Sequence, residues 1–287
     1  MRISPNKTVF LISTGLLITV AVLYMFFPEG QKISGTSQSS DSPVMIEQTW
    51  KLPDVLKEIS AIDYLQGNRV AAVQDEKGSI YIYNLQTSRI ENEIEFAPKG
   101  DFEGIAISGE DAYVLRADGT VFFIKDFLGQ AKVSQIDTDF TAEQDTEGLM
   151  LDKKNNMLLI SVKEKDPNST TYKGIYALDL NTGKLDPEPV YKINLNDPVF
   201  KNIKEKEEGE GFRPSEIAID PETGEVLVLS ANPPNLLILT SEGAVKKLIP
   251  LSENLFPQPE GLTLDQNGRI YISNEGSPAT IHQIKIK

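Results

Sequence analysis

The chain has 287 residues, 40% of them apolar, and a formal net charge of −14 at neutral pH. That apolar content is enough for a substantial core and excludes a disordered polymer. The acidic balance excludes nucleic acid as the main partner, because neutralising phosphates needs a basic face.

Residues 8–27, from Thr8 to Phe27, are uncharged and mostly apolar, close to the roughly 20 residues a helix needs to cross a bilayer. Arg2 and Lys7 precede them, so residues 1–7 are expected in the cytoplasm. The rival reading is a cleaved signal peptide, whose apolar run is normally shorter and ends in small residues. This run ends instead in Tyr24, Met25, Phe26 and Phe27. The expectation is therefore an uncleaved, single-pass signal anchor, a transmembrane helix in the cell membrane, with the remainder on the extracytoplasmic, periplasmic side. Residues 28–44, rich in Ser, Gly, Thr and Gln, read as a flexible linker, and residues 45–287 as the folded domain. The absence of Cys leaves stability to the core and removes thiolate ligands and Cys nucleophiles.

The folded part repeats itself. Phe102-Glu103-Gly104-Ile105, Thr146-Glu147-Gly148-Leu149 and Pro259-Glu260-Gly261-Leu262 share one pattern, with looser copies at Pro214-Ser215-Glu216-Ile217 and Ile59-Ser60-Ala61-Ile62. The repeated position reads Ser60, Glu103, Glu147, Ser215, Glu260 and recurs about every 44 residues, with one interval of about 68, a repeat-architecture signal. Around each copy lie four short apolar runs separated by polar turns, the plan of a β-propeller blade. In the first unit these are 60–65, 69–74, 79–85 and 89–96. The long interval is assigned to a charged insertion at 163–173 and an acidic loop at 196–213. The last unit supplies only three strands, and the segment 45–52 has no sheet of its own. Pairing the two closes the ring and removes an open edge. The expected fold is all-β, a five-bladed β-propeller, with a sixth blade within 163–213 as the alternative. Asp152, Asp220 and Asp265, which follow the first strands, are read as turn residues bonding to backbone.

In a propeller the first strands line a central channel, so the repeated positions converge at one mouth. Three carboxylates in a narrow channel repel one another and need protons, a cationic side chain or a metal. Oxygen donors without Cys, and with His282 as the sole His, suit Ca²⁺ rather than Zn²⁺. The expected metal ligands are Glu103, Glu147, Glu260, Ser60 and Ser215. Glu58 shares the face of Ser60, and Glu216 would point away in a regular strand. The alternative is that Glu-Gly locks blade to blade through backbone hydrogen bonds, with Arg116 or Lys163 as counter-charge. Loops between second and third strands open at the same mouth and offer Asp75, Arg116, Lys163, Asn232, Asn274 and Glu275 for ligand binding.

At these residues the chain resembles the SdiA-regulated, YjiK-like family of membrane-anchored propellers. Leu56-Lys57-Glu58-Ile59-Ser60 and the three Glu-Gly segments carry the resemblance, which covers roughly residues 46–287. It implies a five-bladed propeller with a Ca²⁺ site and no firmly assigned activity. The functional expectation is a membrane-tethered binding module that takes an envelope protein, peptide or small ligand at the mouth. The alternative is a Ca²⁺-dependent phytase-like phosphoesterase or lactonase with one of the three Glu as base. A Ser-His-Asp triad is disfavoured, because only His282 is available.

Overall fold

The computed structural model describes residues 31–33, 42–203 and 211–287. The expected anchor at 8–27 and the acidic run Glu205–Glu210 lie outside them. Among the described residues no helix is long and apolar enough to cross a membrane.

The strands form five separate antiparallel sheets, each running outward from a first strand in chain order. Blade 1 is Ile59–Leu65, Arg69–Gln74, Ser79–Asn84 and Arg89–Glu95. Blade 2 is Phe102–Ser108, Asp111–Arg116, Val121–Lys125 and Lys132–Ile136. Blade 3 begins with Thr146–Asp152, Met157–Val162 and Tyr172–Asp179, and its outer position is shared by Lys184–Leu185 and Tyr191–Asn194. Blade 4 is Pro214–Ile219, Val226–Ser230, Asn235–Leu239 and Val245–Pro250. Blade 5 is Pro259–Leu264, Ile270–Asn274 and Thr280–Ile286, completed by Val44–Lys51. Of the extra chain between the third and fourth repeats, Tyr191–Asn194 pairs with blade 3 and Pro198–Asn202 forms a short 3-10 turn, and the described residues form no sixth sheet.

Sequence and position agree strand by strand. Middle strands are covered on both faces by neighbouring blades and read as unbroken apolar runs, such as Val226–Leu229 and Leu236–Leu239, all buried. Outer strands are half exposed and carry Lys132, Lys246 and Lys247, charges that discourage edge-to-edge pairing. The core is five apolar clusters, one between each pair of adjacent blades. The turn aspartates act as expected. Asp152, Asp220 and Asp265 each accept two backbone N–H bonds from residues two to four positions ahead, at 2.8–3.2 Å.

The ring closes through the N-terminal strand. Val44–Lys51 pairs along its length with Thr280–Ile286, from Val44 opposite Ile286 to Lys51 opposite Thr280. Three residues of the segment read as linker, Gln31–Ile33, pair in turn with Thr49–Lys51 as an edge strand. Trp50 seals the seam between blades 5 and 1. Its indole N–H donates to the Leu85 carbonyl at 2.6 Å and its ring packs against Tyr271. Trp50 is 3% exposed. Replacing it with Ala leaves both a cavity and an unpaired carbonyl, so Trp50→Ala is expected to cost about 3–5 kcal/mol in denaturant unfolding.

Candidate functional site at the channel mouth

The repeated position is a β-bulge in every blade. Pairing between first and second strands shifts between Ile59 and Ala61, Phe102 and Gly104, Thr146 and Leu149, Pro214 and Glu216, and Pro259 and Leu262. Ser60, Glu103, Glu147, Ser215 and Glu260 all fall in these breaks. A bulge bends the strand and re-aims the unpaired side chain, so one local device repeated in five strands builds the ring.

The glycine after three of these residues has a packing reason. A Cβ on Gly104 would lie 2.5 Å from the Leu149 Cβ and 2.8 Å from the Glu147 carbonyl of blade 3. A Cβ on Gly261 would lie 2.9 Å from the Ile62 amide of blade 1. Glycine therefore lets neighbouring first strands approach at the bulge. The hydroxyl members of the ring tie blades together. Ser60 donates to the Phe102 carbonyl at 2.6 Å and Ser215 to the Pro259 carbonyl at 3.3 Å.

Alternation of strand side chains adds a second set two residues earlier: Glu58, Asp101, Asp145, Arg213 and Gln258. The sequence reading picked out only Glu58 from this set, although the same period of two applies to every repeat. Four of these residues accept, through their carbonyls, the N–H of a residue just past the second strand. Asp75 pairs with Glu58, Ala117 with Asp101, Lys163 with Asp145 and Glu275 with Gln258, at 2.9–3.2 Å. This backbone ladder holds the two sets of side chains side by side.

The electrostatics centre on Lys163. Its ammonium is ion-paired with Glu147 and lies 3.8 Å from Asp145. The Glu147 side chain is 4% exposed, and its Oε2 has no hydrogen-bond partner. Arg213 pairs with Glu164, while its buried Nε is left without an acceptor. Glu103, Glu260 and Glu275 instead hold their protons more tightly than usual. Burial pushes Glu103 up to about 9, reinforced by the neighbouring Asp101. Burial lifts Glu260 to about 7 against the pull of Lys163 and Arg213. Glu275 also rises to about 7, through burial and a hydrogen bond shared with Glu58, while Glu58 is held below its usual value chiefly by Lys57.

The remaining expected residues divide. Lys163, Asn232 and Glu260 line one cavity of about 630 Å³ at this mouth, together with Arg213, Ser215, Glu253, Asn254 and Gln258. Asp75 and Asn274 each keep one buried side-chain oxygen without a partner. Arg116 is spent locally, with its guanidinium on Asp118 and Thr120 at 2.7–3.0 Å and over the Phe122 ring. Glu216 does not point away, because the bulge breaks the alternation. It is 1% exposed and accepts the amides of Leu149 and Ile217 through Oε1 at 2.8 and 2.9 Å. Burial raises its proton affinity well above the usual range, with Asp63 and Glu103 adding repulsion.

As donors, these carboxylates and hydroxyls match a hard ion such as Ca²⁺. As the side chains stand, no group of three or more His, Cys, Asp or Glu that could hold a metal is found among the described residues. The ammonium of Lys163 occupies Glu147 instead.

These features define a five-bladed propeller with an acid-and-lysine channel mouth. The chain belongs to the SdiA-regulated family, whose model matches residues 40–285. No curated protein matches it. Among solved structures, Myxococcus xanthus glutaminyl cyclase is similar at a TM-score of 0.58 and 14% identity, covering 84% of this chain and 95% of that one. A structural-genomics protein of unknown function from Bacteroides thetaiotaomicron has a TM-score of 0.51 at 14% identity, over 86% of this chain and 60% of that one. A chain of a nidogen/laminin complex has 0.50 at 14% identity, over 79% and 76%. At such identities the likeness is one of fold.

Two outcomes are expected. Lys163→Ala leaves the buried Glu147 without its cation and should lower stability by on the order of 2 kcal/mol in denaturant unfolding, with Lys163→Ala/Glu147→Gln recovering part of it. Carboxyls raised above their ordinary 4.5 bind more protons folded than unfolded, so stability should be highest in acid and decline as pH rises from 4.5 towards about 9. Thermal melts in chelator across this range should show that decline, and Glu103→Gln should flatten it.

Proposed function

We propose that this chain is a ligand-binding propeller of the cell envelope, held at the membrane by residues 8–27, that reads its ligand at the mouth formed by Glu103, Glu147 and Glu260. The observation carrying this reading is the 630 Å³ cavity beside the ring, a volume suited to a small organic ligand or the end of a peptide. Its wall offers Lys163 and Arg213 to an anionic group and Glu260 and Glu253 to an ammonium. Asn232, Asn254 and Gln258 can donate and accept. That mixture favours a zwitterion, such as a peptide terminus, over a polyanion. Glu260, poised near 7, would release its proton on meeting an ammonium. The sole imidazole supports binding over acyl transfer: His282 is engaged by Thr49 and the Leu255 carbonyl, and burial lowers it to about 4.

Ca²⁺ enters the proposal as an auxiliary ion on Glu103, Glu147 and Glu260. It would have to displace Lys163 and the protons of the other two acids. Calorimetric titration of the full chain after chelation tests this. Uptake is expected to strengthen from pH 6 to pH 9 as those protons leave, to strengthen further in Lys163→Ala, and to vanish in Glu103→Gln, Glu147→Gln and Glu260→Gln. Heat unaffected by these variants would move the ion elsewhere. For the ligand, short peptides with free ends are expected to bind saturably and to weaken at least about tenfold in Glu260→Gln. Turnover of a phosphoester or lactone panel, without saturable peptide binding, would replace this reading with the hydrolytic one.

A further inference from the structure

The opposite end of the first strands opens into a second cavity, of about 660 Å³, which shares no lining residue with the first. Its character differs. Met150, Ile219 and Leu264 contribute apolar wall, and Tyr64 and Tyr191 contribute ring surface. At its floor is Asp63, at a register position where blades 2 to 5 carry Ala106, Met150, Ala218 and Thr263.

The hydrogen bonds of Asp63 leave it one open acceptor. Oδ1 takes the Tyr64 amide at 2.8 Å and the Thr263 hydroxyl at 3.0 Å, whereas Oδ2 takes only the Ile107 amide at 2.7 Å. Each carboxylate oxygen can accept two bonds, so Oδ2 has one lone pair left, at the base of a partly apolar funnel. Charge points the same way. Asp152 and Asp220 line the cavity with Asp63, and the lining cations Lys153 and Lys154 are exposed, with Lys153 still exerting a minor attraction on Asp63. Asp265, also in the lining, is already paired with Arg269. A cavity with apolar walls and one well-placed acceptor at its floor is the usual form of a small-molecule site. Aromatic surface nearby adds affinity for a cation.

We propose that this second funnel binds a small organic amine, its ammonium donating to Asp63 Oδ2 and its apolar body lying against Met150, Ile219 and Leu264. The inference is independent of the ligand assigned to the opposite mouth. The test is calorimetric titration of the full chain with phenethylamine, phenethyl alcohol and phenylacetate, three probes of similar bulk that differ in charge.

The amine should bind saturably, and the alcohol and the acid at least about tenfold more weakly. Met150→Lys, which brings an ammonium of its own to the wall, should abolish amine binding in a variant that still melts cooperatively. Ile219→Lys does the same from blade 4 should the first variant fail to fold. Glu260→Gln, at the other mouth, should leave amine binding unchanged. Failure of the amine to bind would overturn the proposal. So would equal binding of the alcohol or acid, survival of binding in a folded lysine variant, or its loss in Glu260→Gln.

Discussion

The inner strand of a propeller blade has no partner on its channel side, so its free N–H groups must find acceptors where bulk water is scarce. The solution here is a set of buried carboxylates and hydroxyls borrowed across blades. Glu216 of blade 4 takes the Leu149 amide of blade 3, and Asp63 of blade 1 takes the Ile107 amide of blade 2. The Thr263 hydroxyl of blade 5 takes the Tyr64 amide of blade 1, and the Ser60 and Ser215 hydroxyls, as donors, satisfy a carbonyl of the next blade. Packing between the five apolar clusters supplies bulk stabilisation, but these polar links fix how closely the first strands approach. Glycine follows the ring position in three of the repeats because a Cβ there would meet the neighbouring first strand.

That arrangement has an electrostatic consequence. Carboxyls brought together with little water either hold protons or recruit cations. The mouth does both, with raised proton affinity at Glu103, Glu260 and Glu275 and with Lys163 on Glu147. The charge of the mouth therefore changes over the pH range in which Glu260 and Glu275 titrate. A group that exchanges a proton near neutrality changes charge at small cost, so a structural necessity of the fold also sets the electrostatics of the proposed ligand site.

The two ends of the channel divide the chemistry. The end at the bulges is walled by amides and by charges of both signs. The end at the first turns sets apolar wall around Asp63, with Asp152, Asp220 and Asp265 also in its lining. The difference follows from strand register: bulge residues and their neighbours two positions earlier are polar, whereas the positions four residues after the bulge, Tyr64, Ile107, Leu151, Ile219 and Leu264, are aromatic or aliphatic.

The sequence by itself determined the repeat, the all-β architecture, the five blades and the closure by Val44–Lys51, because these follow from periodicity and from matching an orphan strand to an incomplete sheet. It also located the ring, since the Glu-Gly pattern recurs at one position. Only the tertiary structure decided what the ring residues do. The bulge turns Glu216 inward against the alternation expected of a regular strand, and Arg116 is drawn onto Asp118 two residues away rather than into the mouth. Asp101 and Asp145 join the site because a backbone ladder sets them beside the second-strand ends, whereas Arg213 joins it by lining the cavity and pairing with Glu164. Such outcomes depend on contacts between residues tens of positions apart and on how burial redistributes protons among them, and neither quantity is written in local sequence pattern.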